Sequence, residues 1–167
     1  MSISSILADK AINVDHIAVA VPDLQQSIVF YRDVLGFEVL ETRTTAGRRT
    51  AMESAVLKAG PITLVLVQGT NEDSQVSQYI AHHGAGVQHI AIGVEDLPEV
   101  VESLKAAGVE FVTKTVIQGD GIRQAFTARD PGSGMMYELI ERQRPDGRFT
   151  DASVQQLFEQ MEASDAF

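Results

Sequence analysis

The chain carries one passage twice. NVDHIAVAVPDL, Asn13 to Leu24, and GVQHIAIGVEDL, Gly86 to Leu97, each set a histidine at the head of an alternating apolar run that stops at an acid-led turn. The elements after each passage also repeat. Beyond Pro22-Asp23, LQQSIVFYRDVLGF puts Leu24, Ile28, Tyr31 and Leu35 at helical spacing and closes on Gly36. FEVLETRT, RTAMESAVLKAG and ITLVLVQG then have strand character, with turns at Ala46-Gly47 and Gly60-Pro61. In the second half LPEVVESLKAAG predicts a helix ended by Gly108, and VEFVTKTVI, IRQAFTARD and MMYELIER predict three strands. A repeated unit that cannot bury its own sheet face buries it against its copy. The predicted class is therefore α+β, with two βαβββ modules forming a curved mixed sheet around a cavity and the helices outside.

The remaining segments fit around that frame. An N-terminal extension occupies 1–11, the duplicated domain 12–143 with modules near 12–70 and 86–143, and a tail 144–167. SQVSQYIAHH, Ser74 to His83, predicts a bridging helix. In the tail, Asp151 is the expected N-cap, and Val154, Leu157, Phe158 and Met161 share one face of an amphipathic helix. That helix is expected to close the cavity as a lid.

An imidazole where Val or Ile would pack needs a reason, and duplication supplies one. His16 and His89 begin equivalent strands, so a pseudo-twofold axis brings them together. In MMYELIER the alternation Met136, Glu138, Ile140 puts a carboxylate on an apolar face, where an unpaired charge is costly and a metal ion removes the cost. Taken singly, each histidine is an ordinary strand residue and Glu138 the partner of an arginine. Taken together on repeated strands, the three point to a metal site. The absence of cysteine leaves histidine and carboxylate as the available ligands.

A net charge of −10 opposes nucleic acid and acidic membrane surfaces as partners. No apolar run approaches a membrane span, and MSISSILADK lacks the basic start of a signal peptide, which predicts a soluble, cytoplasmic protein.

VDHIAVAVPDLQQSIVFYRDVLGF, GVQHIAIGVEDL and YELIE together resemble the vicinal-oxygen-chelate superfamily, over about residues 12–143. That group includes glyoxalase I, methylmalonyl-CoA epimerase, extradiol dioxygenases and 4-hydroxyphenylpyruvate dioxygenase. The resemblance implies that His16, His89 and Glu138 are metal ligands and the catalytic centre. Glyoxalase I and the epimerases carry a further Glu or Gln in the last strand of the first module, where this chain has Thr63, Leu64 and Val65. Two histidines and one carboxylate with open positions form the facial triad of non-haem Fe(II) oxygenases.

SQVSQYIAHHGAGVQHIAI and ELIER followed by GRF and a helix resemble the catalytic half of 4-hydroxyphenylpyruvate dioxygenase and hydroxymandelate synthase. That likeness implies a substrate pocket lined by Ser54, Gln68, Gln75, Gln88 and Gln124, with Phe126 and Phe149 against the substrate ring. Gln68 replaces an Asn of the family, and Met136 stands where the family has an aromatic residue, which opens the pocket to aliphatic 2-oxo acids. The expected protein is an Fe(II)-dependent dioxygenase, with Mn(II), Co(II) or Zn(II) as alternative ions. Its expected partners are O₂, a 2-oxo acid and a second copy of itself in a homodimer. The alternatives are a metal-dependent epimerase or lyase and, with less support because the ligands are retained, a drug- or metabolite-binding protein.

Overall fold

The computed structural model describes residues 5–164. The first four residues of the N-terminal extension and the last three of the tail lie outside the described residues. A short helix α1 (Ile6–Lys10) leads into β1 (Ala11–Ala20), α2 (Leu24–Val29), β2 (Glu38–Ala46), β3 (Ala51–Ala59) and β4 (Ile62–Gly69). Helix α3 (Gln75–His83) crosses to β5 (Gly86–Val94), α4 (Leu97–Ala106), β6 (Ile117–Gln118), β7 (Ile122–Phe126), β8 (Met136–Arg142) and α5 (Asp151–Ala163). All eight strands join one mixed, curled sheet in the order β2-β3-β4-β1-β5-β8-β7-β6. The α+β class with a sheet built by duplication is thus observed.

The two halves meet at the antiparallel β1–β5 pair, and each half flanks it with a parallel neighbour, β4 beside β1 and β8 beside β5. On the outer face α2 covers Ala55, Leu57 and Leu66, and α4 covers Val94, Ala125 and Leu139. Both helices start at the acid-led turns. Asp23 caps α2 by accepting from Gln26 N at 2.9 Å, whereas Asp96 adopts φ 56° and gives α4 no side-chain cap. Helices α3 and α5 lie on the inner face. Phe158 and Met161 of α5 are fully buried there, each worth about 1.5–3 kcal/mol of apolar burial.

Three local expectations are corrected. Helix α2 does not run regularly to Gly36. It widens into a π-helical turn over Phe30–Val34, whose extra residue rotates the next positions about the helix axis, so Leu35, expected on the buried face, is 51% exposed. VEFVTKTVI is not a strand. Only a bridge at Phe111 and the two-residue β6 pair, because Thr113 Oγ1 accepts the Phe126 N–H and Gln160 Oε1 accepts the Lys114 N–H in place of a ladder. The cap of α5 is Thr150, one residue before Asp151, in a reciprocal capping box with Ser153. No helix among the described residues is long and apolar enough to cross a membrane.

Candidate metal centre and cavity

In the β1–β5 pair Ile17 lies opposite Ile90, His16 opposite Ala91 and Ala18 opposite His89. The pairing is symmetric about Ile17 and Ile90, as a duplicated sheet requires. Register shifts on either side leave Asp15 in β1 and Gln88 in β5 as the extra residues of two bulges. Bulges re-aim side chains, and here each stands directly before a histidine. Each extra residue also turns its side-chain oxygen onto that histidine's Nδ1, Asp15 Oδ1 at 2.9 Å from His16 and Gln88 Oε1 at 2.5 Å from His89.

The opposite ring nitrogens converge on β8. His16 Nε2 is 3.1 Å and His89 Nε2 3.3 Å from Glu138 Oε2, and the ligand atoms of the three residues lie within 4.8 Å of one another. Glu138 is 1% exposed, and its Oε1 has no hydrogen-bond partner among the described residues. Burial pushes its pKa up, but the charge and hydrogen bond of His16 outweigh this and hold it at about 2. Burial pulls His16 down, but Glu138 and Asp15 raise it to about 9. Burial dominates at His89 and lowers it below the ordinary histidine value. Without a cation the centre therefore holds one imidazolium, one neutral imidazole and one carboxylate with a bare buried oxygen. A divalent ion would fit this donor set, since it would take the place of the His16 proton and neutralise a buried carboxylate that has an unpartnered oxygen.

The centre forms the floor of a cavity of about 100 Å³ that opens to solvent. Alternation decides which strand residues reach it. Met52, Ser54 and Val56 of β3 and Val65 and Val67 of β4 face inward, while Ala55, Leu57 and Leu66 face α2. Phe126 meets the His89 ring edge to face at 5.0 Å, and Phe149 meets His16 in the same way at 5.8 Å. Gln124 lines the wall fully buried, and neither of its amide atoms has a partner among the described residues. Val154 and Leu157 of α5 close the far side.

Ser54, Gln124, Phe126 and Phe149 thus share this cavity with the three candidate ligands. Gln75 and Gln88 line an inner recess that continues from it past His89 and Phe126. Two expected pocket residues lie elsewhere. Gln68 has the parity of Leu64 and Leu66, so it falls on the outer face, where its Oε1 accepts the Leu24 N–H at 2.6 Å and helps start α2. Met136 is completely buried between Phe126 and Met161, beneath the wall. Sequence reasoning also passed over Asp15 and Arg43. Asp15 was visible in principle, because it stands before His16 as Gln88 stands before His89. Arg43 lines the cavity mouth from β2, bonded to Glu41 at 2.5 Å and to the Phe149 carbonyl at 3.3 Å, and no sequence signal marks it.

The model of the Glyoxalase/Bleomycin resistance protein/Dioxygenase superfamily matches residues 13–139. The chain belongs to this superfamily. Among curated relatives, the uncharacterized protein YqjC of Bacillus subtilis is 30% identical over 128 residues, covering 76% of this chain and 90% of its own. The Arabidopsis thaliana lactoylglutathione lyase GLX1 is 32% identical over 76% of this chain and 43% of its own. A 4-hydroxyphenylpyruvate dioxygenase of Legionella pneumophila is 25% identical over 80% of this chain and 48% of its own. The chain thus spans less than half the length of the lyase and of the dioxygenase. A 4-hydroxymandelate synthase variant from Streptomyces coelicolor superposes with a TM-score of 0.81 at 22% identity, covering 93% of this chain and 55% of the synthase, and attests the fold. Methylmalonyl-CoA epimerase from the same organism gives 0.66 at 31% identity, over 78% and 94% of the two chains. Most superfamily members are dioxygenases, lyases and epimerases, and the superfamily binds divalent metals and small-molecule substrates.

Proposed function

We propose that the protein is a non-haem Fe(II)-dependent dioxygenase that decarboxylates a 2-oxo acid oxidatively and hydroxylates what remains, with His16, His89 and Glu138 as the ligands. One observation carries this reading. In the second module Ala91, two residues after His89, pairs with Glu138; in the first, Ala18, two residues after His16, pairs with Val65. Val65 is therefore the symmetry partner of Glu138, and it faces the same cavity. With an isopropyl group where the duplication would supply a second carboxylate, His16, His89 and Glu138 are the three residues that would hold the ion, and it would keep open positions for substrate.

Bound Fe(II) supplies open positions for a chelating 2-oxo carboxylate and O₂ together with the redox chemistry between them. The protein does the rest. Glu138 contributes one negative charge against two neutral imidazoles, which leaves the centre net positive and suited to an anionic chelate. Gln124 offers both an unpaired donor and an unpaired acceptor to the substrate, Gln75 and Gln88 extend that polar wall inward, and Phe126 and Phe149 provide edges against an apolar or aromatic body. Leu157 and Val154 keep water from the mouth, which protects a reactive oxidant.

A metal-dependent epimerase or lyase is the second reading, favoured by the 31% identity to the epimerase over nearly its whole length. It needs a base on the cavity wall. Besides Glu138 the carboxylate there is Glu41, which is already bonded to Arg43. The test is anaerobic loading with Fe(II) followed by a panel of 4-hydroxyphenylpyruvate, phenylpyruvate and branched aliphatic 2-oxo acids. Stoichiometric O₂ uptake and CO₂ release with one of them is the expected result. Silence across the panel, with O₂-independent turnover of a CoA or glutathione thioester on Co(II) or Mn(II), would replace this reading by the second.

A further inference from the structure

The two bulges match in position and differ in chemistry. Behind His89 stands the neutral amide of Gln88, and behind His16 the carboxylate of Asp15. Asp15 is itself held from the far side, where Arg142 donates from Nε to Oδ2 at 2.5 Å and from Nη2 to Oδ1 at 2.9 Å. Arg142 Nη1 in turn donates to the Gly147 carbonyl at 2.5 Å. The Asp15 side chain is 8% exposed and enclosed between the His16 imidazole and the two-pronged guanidinium of Arg142, a fixed cation that pairs with a carboxylate. The Arg142–Asp15 bridge also has a particular reach. Strands β1 and β8 are not neighbours, so the bridge passes over β5 and ties together the three strands that carry the candidate ligands.

An imidazole that donates Nδ1–H to an oxygen is fixed in the tautomer whose Nε2 lone pair is free for a metal. An anionic acceptor raises the basicity of that lone pair more than a neutral amide does. Both oxygens here set the same tautomer, and one of them is ionised. We infer that Asp15, anchored by Arg142, is a positioning residue of the centre that makes His16 the stronger of two unequal nitrogen donors, with Gln88 as its weaker counterpart behind His89. This inference rests on the assignment of His16, His89 and Glu138 as metal ligands. A bridge that only joined β1 to β8 would contribute to thermal stability and leave metal affinity alone.

The experiment titrates the metal-free full chain with Co(II), by calorimetry and by the visible ligand-field spectrum. Asp15→Asn keeps an oxygen acceptor and removes only the charge, and Arg142 is exposed enough to be solvated when its partner is neutralised. The expected result is a folded protein whose Co(II) affinity falls about 10-fold or more, with a shifted visible band. Gln88→Glu, in the otherwise unaltered chain, is expected to tighten Co(II) binding several-fold by giving His89 the ionised partner that His16 already has. If Asp15→Asn does not fold, Gln88→Glu decides alone. Affinity and spectrum unchanged in the folded variants would overturn the inference, whatever happens to the melting temperature. Failure of the unaltered chain to bind Co(II) is a different result, since it would overturn the ligand assignment beneath it.

Discussion

His16 and His89 stand edge to face, their ring centroids 5.7 Å apart and their planes at 79°, and both direct Nε2 at the same oxygen of Glu138. Two imidazoles cannot both be cationic at that distance, and one carboxylate oxygen cannot be the best partner of both. The arrangement is resolved electrostatically by one proton on His16, or by one divalent ion shared among the three.

The first prediction removes the ligands one at a time. His16→Ala, His89→Ala and Glu138→Ala are each expected to lose stoichiometric metal while giving a folded protein by circular dichroism. Glu138→Ala also removes one of the two buried carboxylates that face the His16 imidazolium and leaves Asp15 as the other, so the metal-free variant is expected to lose about 1–3 kcal/mol near neutral pH. A variant that retains one equivalent of metal takes that residue out of the site.

The second concerns pH. The His16 pKa is raised to about 9 in the metal-free protein, and the incoming ion must displace that proton. Metal affinity is therefore expected to rise about tenfold per pH unit from neutrality up to about 9 and then level, with about one proton released per ion at pH 7. His89, shifted down, is already neutral there and adds no second proton. The sign for stability is the reverse. The raised pKa of His16 stabilises the metal-free fold below the ordinary histidine value of 6.5, and that contribution disappears as pH climbs through about 9. The metal-loaded protein lacks this loss. Calorimetry in buffers of different ionisation enthalpy counts the protons, and a release near zero at pH 7 contradicts a protonated His16.

How far the sequence reached depends on what each feature needs. The duplicated histidines and the parity of Glu138 are local patterns that survive folding, so the three candidate ligands and the α+β class could be read directly. Gln68 could not, because the face it takes depends on the β1–β4 register, which no residue near it encodes, and the unpaired N–H at the start of α2 captures its side chain. Leu35 misled for a different reason, since one extra residue in the turn after Val29 shifts the helical phase and spacing alone does not reveal it. VEFVTKTVI has the composition of a strand but lost its ladder to side-chain acceptors from Thr113 and α5. The bulges at Asp15 and Gln88 appear only once two strands are paired.

The third prediction tests the polar wall. Gln124 is buried with both amide atoms unpaired, a cost to folding that a substrate contact would offset. Gln124→Leu is expected to raise the melting temperature by a few degrees, leave metal affinity within twofold, and increase KM for the 2-oxo acid at least tenfold. Unaltered KM with higher stability would assign Gln124 to packing.

The fourth concerns α5 as a lid, and its test depends on how the helix is fastened. Phe158 and Met161 are buried in the inner core, so deleting the helix would expose that core and confuse closure with collapse. A gentler handle lies at its end. Glu162 accepts from Arg48 N at 3.0 Å, Thr50 N at 2.9 Å and Thr50 Oγ1 at 2.8 Å, which pins α5 to the β2–β3 turn. Burial raises the carboxyl's pKa, but these bonds from Thr50 and Arg48 prevail and keep it below the ordinary glutamate value. Glu162→Ala leaves the core side chains and the bond from Arg49 to the residue-162 carbonyl in place and removes the carboxylate's bonds to the turn, at a cost of about 1–3 kcal/mol. If the helix excludes water from the cavity, the variant should bind metal normally, require more substrate, and consume O₂ in excess of product. Lower thermal stability with O₂ and product still in step would mean that α5 serves only to complete the core.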